Sequence, residues 1–137
     1  MNLKWLMISS FIIFIYLIVV NSLLFPFVFP EGLAEKFSNM RPEQVPVFHL
    51  LAFVATAVLL TILVDKLNGN VRPIVNATIS AALLGLLVAL PEHLHLYAMV
   101  DATAVQQFMP VVWIIVSWGL AGTIIGAVRG KVSRNNN

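Results

Sequence analysis

Thr78-Ile79-Ser80-Ala81-Ala82-Leu83-Leu84-Gly85-Leu86-Leu87-Val88-Ala89-Leu90-Pro91-Glu92-His93-Leu94-His95 is the stretch on which the fold turns. Up to Leu90 it is apolar, and small residues recur along it. Thr78, Ala82, Gly85, Ala89 and Glu92 follow helical spacing, so at 100° per residue they share one narrow face. With the residues back to Ile74, the apolar run is long enough for a helix to cross a hydrocarbon core of ~30 Å. Backbone amides and carbonyls in lipid must pair within their own segment, which requires the helix. The expected span is 74–90. Pro91 is expected to break it before an amphipathic turn.

Three more stretches have the same character. One covers about 5–25, stopped by Pro26 and Pro30, because proline lacks an amide donor and restrains the residue before it. Another covers about 47–64, with Pro46 suited to its first turn. The last covers about 107–128, with Pro110 near one end. The first span also has some features of a secretory signal. Lys4 supplies a basic start and Val20-Asn21-Ser22 a small-residue cleavage site, but the apolar run continues to Phe29, longer than a signal core.

Composition agrees. Of 137 residues, 60% are hydrophobic and 10% charged, and mean hydropathy is +0.94. A soluble domain carries roughly 25% charged residues. The expected fold class is therefore an all-α membrane protein, a four-helix transmembrane bundle forming one integral domain over residues 1–137. The lipid bilayer is its first partner. The net charge of +2 comes from dispersed basic residues, which point to membrane orientation rather than nucleic acid. Lys4, Lys66, Arg72, Arg129, Lys131 and Arg134 fall at the termini and the second connection, which the positive-inside rule puts in the cytoplasm. The connections that then face outward carry Lys36 and Arg41 along with Glu31, Glu35, Glu43, Glu92 and Asp101. This is the layout of a multi-pass protein of the bacterial inner membrane. Trp5 stands where a cytoplasmic-interface anchor is expected.

Helices in lipid associate through close packing of small residues. On the last span Gly119, Gly122, Gly126 and Gly130 repeat at intervals of three and four, and Gly122 to Gly126 is a GxxxG. These glycines and the Thr78–Ala89 stripe read as the contact between two adjacent spans; alternatively the glycines of the last span form a homodimer seam. Elsewhere Ser9 and Tyr16 share a face of the first span, and Asn76 is suited to an interhelical hydrogen bond.

The chain has no cysteine, which excludes disulfides, thiolate metal sites and cysteine nucleophiles. It also has no phosphate loop, dinucleotide fingerprint or zinc-protease motif. What remains is a cluster at one membrane depth, the outer one. His49 begins the second span, and Glu92, His93 and His95 follow the third. Asp101 is placed to cap the last helix. The cluster has three readings. Glu92 and His95, three apart, have the spacing by which helical bundles aim metal ligands. His49 adds a third, giving a two-histidine, one-carboxylate set suited to iron, zinc or manganese; haem between His49 and His93 or His95 is a variant. Alternatively, a carboxylate beside imidazoles handles protons or cations. Otherwise the stretch is an interfacial turn, with His93, His95 and Tyr97 at the headgroups. In the first connection, Gly32–Phe37 suits a short interfacial helix with Leu33, Phe37 and Met40 as its apolar side.

The leading functional expectation is a membrane protein without catalytic machinery, acting as an accessory subunit or as a small carrier or channel, with no cofactor. The competing expectation is a metal- or haem-binding redox protein using His49, Glu92 and His95.

Overall fold

The structure is a computed structural model that describes residues 3–28, 46–67, 72–99 and 103–134. These form four helices: α1 (Leu3–Val28), α2 (Pro46–Leu67), α3 (Pro73–Met99) and α4 (Ala104–Arg134). Each contains a segment long and apolar enough to cross a membrane. The interfacial helix expected at Gly32–Phe37 and the Asp101 cap lie outside the described residues.

Two expected helix ends are corrected. α1 continues past Pro26 to Val28. α3 runs through Pro91 to Met99, so Pro91 does not separate a span from a turn. Proline removes one helix amide, and that loss is tolerated in an apolar helix whose packing continues. Here it continues because α4 tracks α3 along its length. Gly126 lies against Ile74, Gly122 against Ala77 and Ala81, Gly119 against Ala82, and Gly85 against Ile114 and Trp118. Further out, the Tyr97 and Phe108 rings sit 5.8 Å apart. The same antiparallel register puts Pro91 level with Pro110, so both helices lose an amide at one depth and their outer ends stay paired. α4 then begins with a reciprocal cap. The Thr103 amide donates to Gln106 Oε1 at 3.0 Å, and the Gln106 amide donates to Thr103 Oγ1 at 3.3 Å. Thr103-x-x-Gln106 is a capping box.

The buried row of α3 is Ala77, Ala81, Gly85, Ala89 and His93. It is offset from the face expected around Thr78, Ala82 and Glu92. An unbroken interval of four forms a continuous ridge on a helix, and the α4 glycines leave a groove that accepts it. Thr78 and Ala82 flank this ridge, and Glu92 falls on the exposed side. Thr78 and Thr123 join the helices through their hydroxyls at 2.8 Å, and each also approaches a carbonyl of its own helix, Ile74 and Gly119. Two hydroxyls hold two protons, so only two of these three contacts are made at once.

At its start, α3 is preceded by Arg72 with a φ of 54°. Arg72 is left-handed there while its carbonyl accepts the Asn76 amide at 3.1 Å. A non-glycine residue in that region costs on the order of 1 kcal/mol.

Around the bundle α1 packs on α2 and α4, while α3 packs closely on α4 and lightly on α2. The interior joins Trp5, Ile13 and Leu17 of α1 to Ala57, Leu60 and Val64 of α2, Ala77 and Ala81 of α3, and Ala121 and Ile125 of α4. Trp5 is 4% exposed, which corrects its expected place as an interface anchor. Its ring fills the bundle interior because α1 presents Trp5, Ser9, Ile13 and Leu17 as one interval-of-four row. Large apolar side chains such as Phe11, Leu59, Leu87 and Leu120 face outward, as a lipid-facing surface requires.

A hydrogen bond joins α1 to α4: Tyr16 donates its hydroxyl to the Ser117 carbonyl at 3.0 Å. Tyr16→Phe should cost about 0.5–1 kcal/mol, the usual range for interhelical hydrogen bonds in membranes. The loss is small because the carbonyl keeps its place in the α4 ladder. Equilibrium unfolding in detergent or bilayer checks it.

Candidate functional site

The outer cluster comes first, because the expected metal ligands lie there. Continuation of α3 past Pro91 puts Glu92, His93 and His95 on a helix rather than a turn. On that helix they diverge. His93 extends the buried row toward α4, whereas Glu92 and His95 are exposed. Glu92 and His95 still share a helix face, as their spacing implies, but that face is turned away from the packed α3–α4 interface. His49 lies in the first turn of α2, and its side chain is outside the described residues. Among the described residues no three His, Asp or Glu side chains come together in a way that could hold a metal ion. Tyr97, expected at the headgroups, is half-exposed, with its ring tilted 47° to that of Phe108.

The small residues expected to mediate packing fall into two groups. Gly122 and Gly126 have backbone against them: a Cβ on Gly122 would stand 2.7 Å from the Ala81 Cβ, and one on Gly126 2.7 Å from the Ile74 Cα. Gly85 and Ala89 lie in the buried row, and Gly119 makes ordinary contact with Ala82 and Thr78. Gly130 belongs to the same stripe in sequence, but a Cβ placed there would meet nothing within 4 Å. The α3–α4 interface has therefore run out before Gly130.

The opposite end of the bundle holds a feature that hydropathy and spacing do not single out. Arg129 Nη1 lies 3.2 Å from Asp65 Oδ1, with the side chains 26% and 17% exposed. The pair joins α4 to α2, the most lightly packed of the helix pairs that touch. In the sequence Arg129 serves only as a marker of orientation, and Asp65 stands at the edge of an apolar span. The available signal is that a lone carboxylate directly following Val64 needs a cation near it.

Further buried polar groups lie on α1. Trp5 Nε1, Ser9 Oγ and Ser10 Oγ are enclosed and make no hydrogen bond within the protein. By contrast, buried Thr61 on α2 donates to its own Ala57 carbonyl at 2.7 Å. Trp5, Ser9 and Tyr16 fall within about 40° on the helix. Because Tyr16 reaches Ser117 of α4, this face is turned toward α4.

No protein family, curated protein or solved structure matches the chain. Its function must therefore be sought in its own geometry. The described ionisable side chains divide into an outer set on α3, with His93 buried and Glu92 and His95 exposed, and an inner set at the basic end. The inner set joins side chains from separate helices through the Asp65–Arg129 ion pair.

Proposed function

We propose that the chain is a multi-pass inner-membrane protein without catalytic machinery, with both termini in the cytoplasm. It acts as a small carrier or channel, or as an accessory subunit of a larger membrane assembly. The observation that supports this most is the distribution of ionisable side chains. The described interior holds an ion pair, Asp65–Arg129, at the basic end, while Glu92 and His95 stand apart from the helix interface at the other. An acid and a base partly enclosed at one end of a helical bundle suit gating or partner docking better than bond-making chemistry.

The absence of cysteine makes the topology directly testable. Asn2→Cys and Asn136→Cys should be protected from an impermeant thiol reagent added to intact cells, and Glu35→Cys should react. Reaction of either terminal cysteine from outside would overturn the orientation. Purified protein should carry a partner or run as an oligomer in mild detergent. A Soret band or stoichiometric iron, lost in Glu92→Ala, would instead establish the redox alternative.

A further inference from the structure

We infer that the Asp65–Arg129 pair is a latch at the basic end of the bundle, and that its opening admits water to the buried polar row of Trp5 and Ser9. This deepens the carrier or channel form of the proposed function and rests on it.

Three observations converge. The first is position. Val64 directly precedes Asp65, and Ile125 is one helical turn before Arg129. Both belong to the same core cluster as Trp5. The pair therefore closes the layer in which the Trp5 ring is buried. Spans that cross in sequence alternate in direction, so α1 runs antiparallel to α4. Tyr16 meets Ser117, and Ser9 lies about two turns closer to the latch, level with Ile124. Trp5 is one turn further, level with Val128 and beside Arg129. Ile124 and Val128 pack on the same cluster.

The second observation is the cost of the enclosed groups. A buried donor or acceptor without a partner keeps the full cost of its desolvation, and lipid offers no water to relieve it. Serine in an apolar helix ordinarily bonds back to its own preceding turn, as Thr61 does on α2. Ser9 and Ser10 do not, nor does the Trp5 indole find an acceptor. Trp5 Nε1 and Ser9 Oγ, enclosed on one face of α1, destabilise the closed arrangement. They favour a second arrangement in which water reaches them.

The third observation is the joint itself. α3 and α4 are locked by close backbone contact at Gly122 and Gly126. α2 touches α4 lightly, and the ion pair is the charged link between them. Breaking it frees the basic end of α2 from α4 without disturbing the α3–α4 interface. The row of Trp5 and Ser9 carries no formal charge, so what opening admits to it is water or a neutral hydrogen-bonding solute.

The test is exchange of the Trp5 indole proton in D₂O. It is followed by NMR on full-length protein labelled with ¹⁵N-tryptophan in bilayers and assigned by the signal missing from Trp5→Phe. Trp113 and Trp118 serve as internal references. In Asp65→Asn and in Arg129→Ala, Trp5 exchange should accelerate about tenfold or more, as expected when local opening is made easier. The reference indoles should keep their rates. The charge-exchanged double variant, Asp65→Arg with Arg129→Asp, should return Trp5 to its slow rate. Equal Trp5 exchange in wild type and both single variants would overturn the latch. So would parallel acceleration of all three indoles, which reports general loosening, or failure of the double variant to restore slow exchange. Each outcome is independent of partner capture and topology labelling, so the latch and the functional reading can fail separately.

Discussion

Gly122→Ala and Gly126→Ala should each lose about 2–3 kcal/mol of stability or more, while Gly130→Ala is neutral or stabilising by up to ~1 kcal/mol. The three residues look alike in sequence, so the contrast tests the register directly. At Gly122 the added methyl meets the Ala77 carbonyl and comes within 2.7 Å of the Ala81 Cβ. At Gly126 it meets the Pro73 carbonyl oxygen and the Ile74 Cα, each at 2.7 Å. Backbone atoms cannot swing aside as a flexible side chain can, so the helices must separate. Separation also weakens neighbouring contacts, including the Thr78–Thr123 hydroxyl pair. Gly130 has open space, and there only the helix preference of alanine acts. Gly119→Ala, with its nearest atom at 3.6 Å, should be tolerated, and Gly85→Ala, at 3.2 Å from the Ile114 carbonyl oxygen, should fall between. Reversible unfolding of the five variants in detergent or bilayer gives the order. Similar losses at Gly122 and Gly130 would show that α3 and α4 do not pack in this register.

Arg129→Ala should cost about 1–3 kcal/mol of stability. That range lies between the small worth of exposed ion pairs and the ~3–5 kcal/mol of fully buried ones. The intermediate value follows from the partial exposure of both side chains. The loss comes mainly from leaving the Asp65 carboxylate unpaired in poorly hydrated surroundings. Asp65→Asn with Arg129→Gln, which removes both charges, should therefore cost less than Arg129→Ala alone. A double-mutant cycle read by unfolding measures this. A double variant as unstable as the sum of its parts would mean that the two side chains do not interact.

The residues differ in how far they could be read without coordinates. Hydropathy over 5–25, 47–64, 74–90 and 107–128 locates the helices, because lipid leaves a spanning backbone no other way to pair its amides. The small residues of α3 and α4 identify which two helices approach most closely. Their exact face does not follow, because intervals of three and four mark rows only tens of degrees apart. Thr78–Glu92 and Ala77–His93 are both permitted rows, and the choice depends on where the α4 glycines open a groove. The same ambiguity separates Glu92 from His93: one residue along a helix turns a side chain by 100°, so the buried ionisable group is His93.

Proline is a second case. Local preference stops a helix at Pro91 and Pro26, but α3 continues because α4 accompanies it, with Pro110 at the same level. The Thr103–Gln106 capping box is present in the letters, yet it carries weight only once the helix is known to start at Ala104.

The amino-acid order alone thus determines an all-helical chain with four apolar segments, its lack of thiol chemistry, and the close approach of its last two helices. These follow from composition and local spacing, which act within a single segment. The burial of Trp5 and His93, the exposure of Glu92 and His95, and the meeting of Asp65 with Arg129 belong to tertiary structure. Each depends on the rotation of one helix against another, which is set by the fit of distant side chains rather than by any one segment.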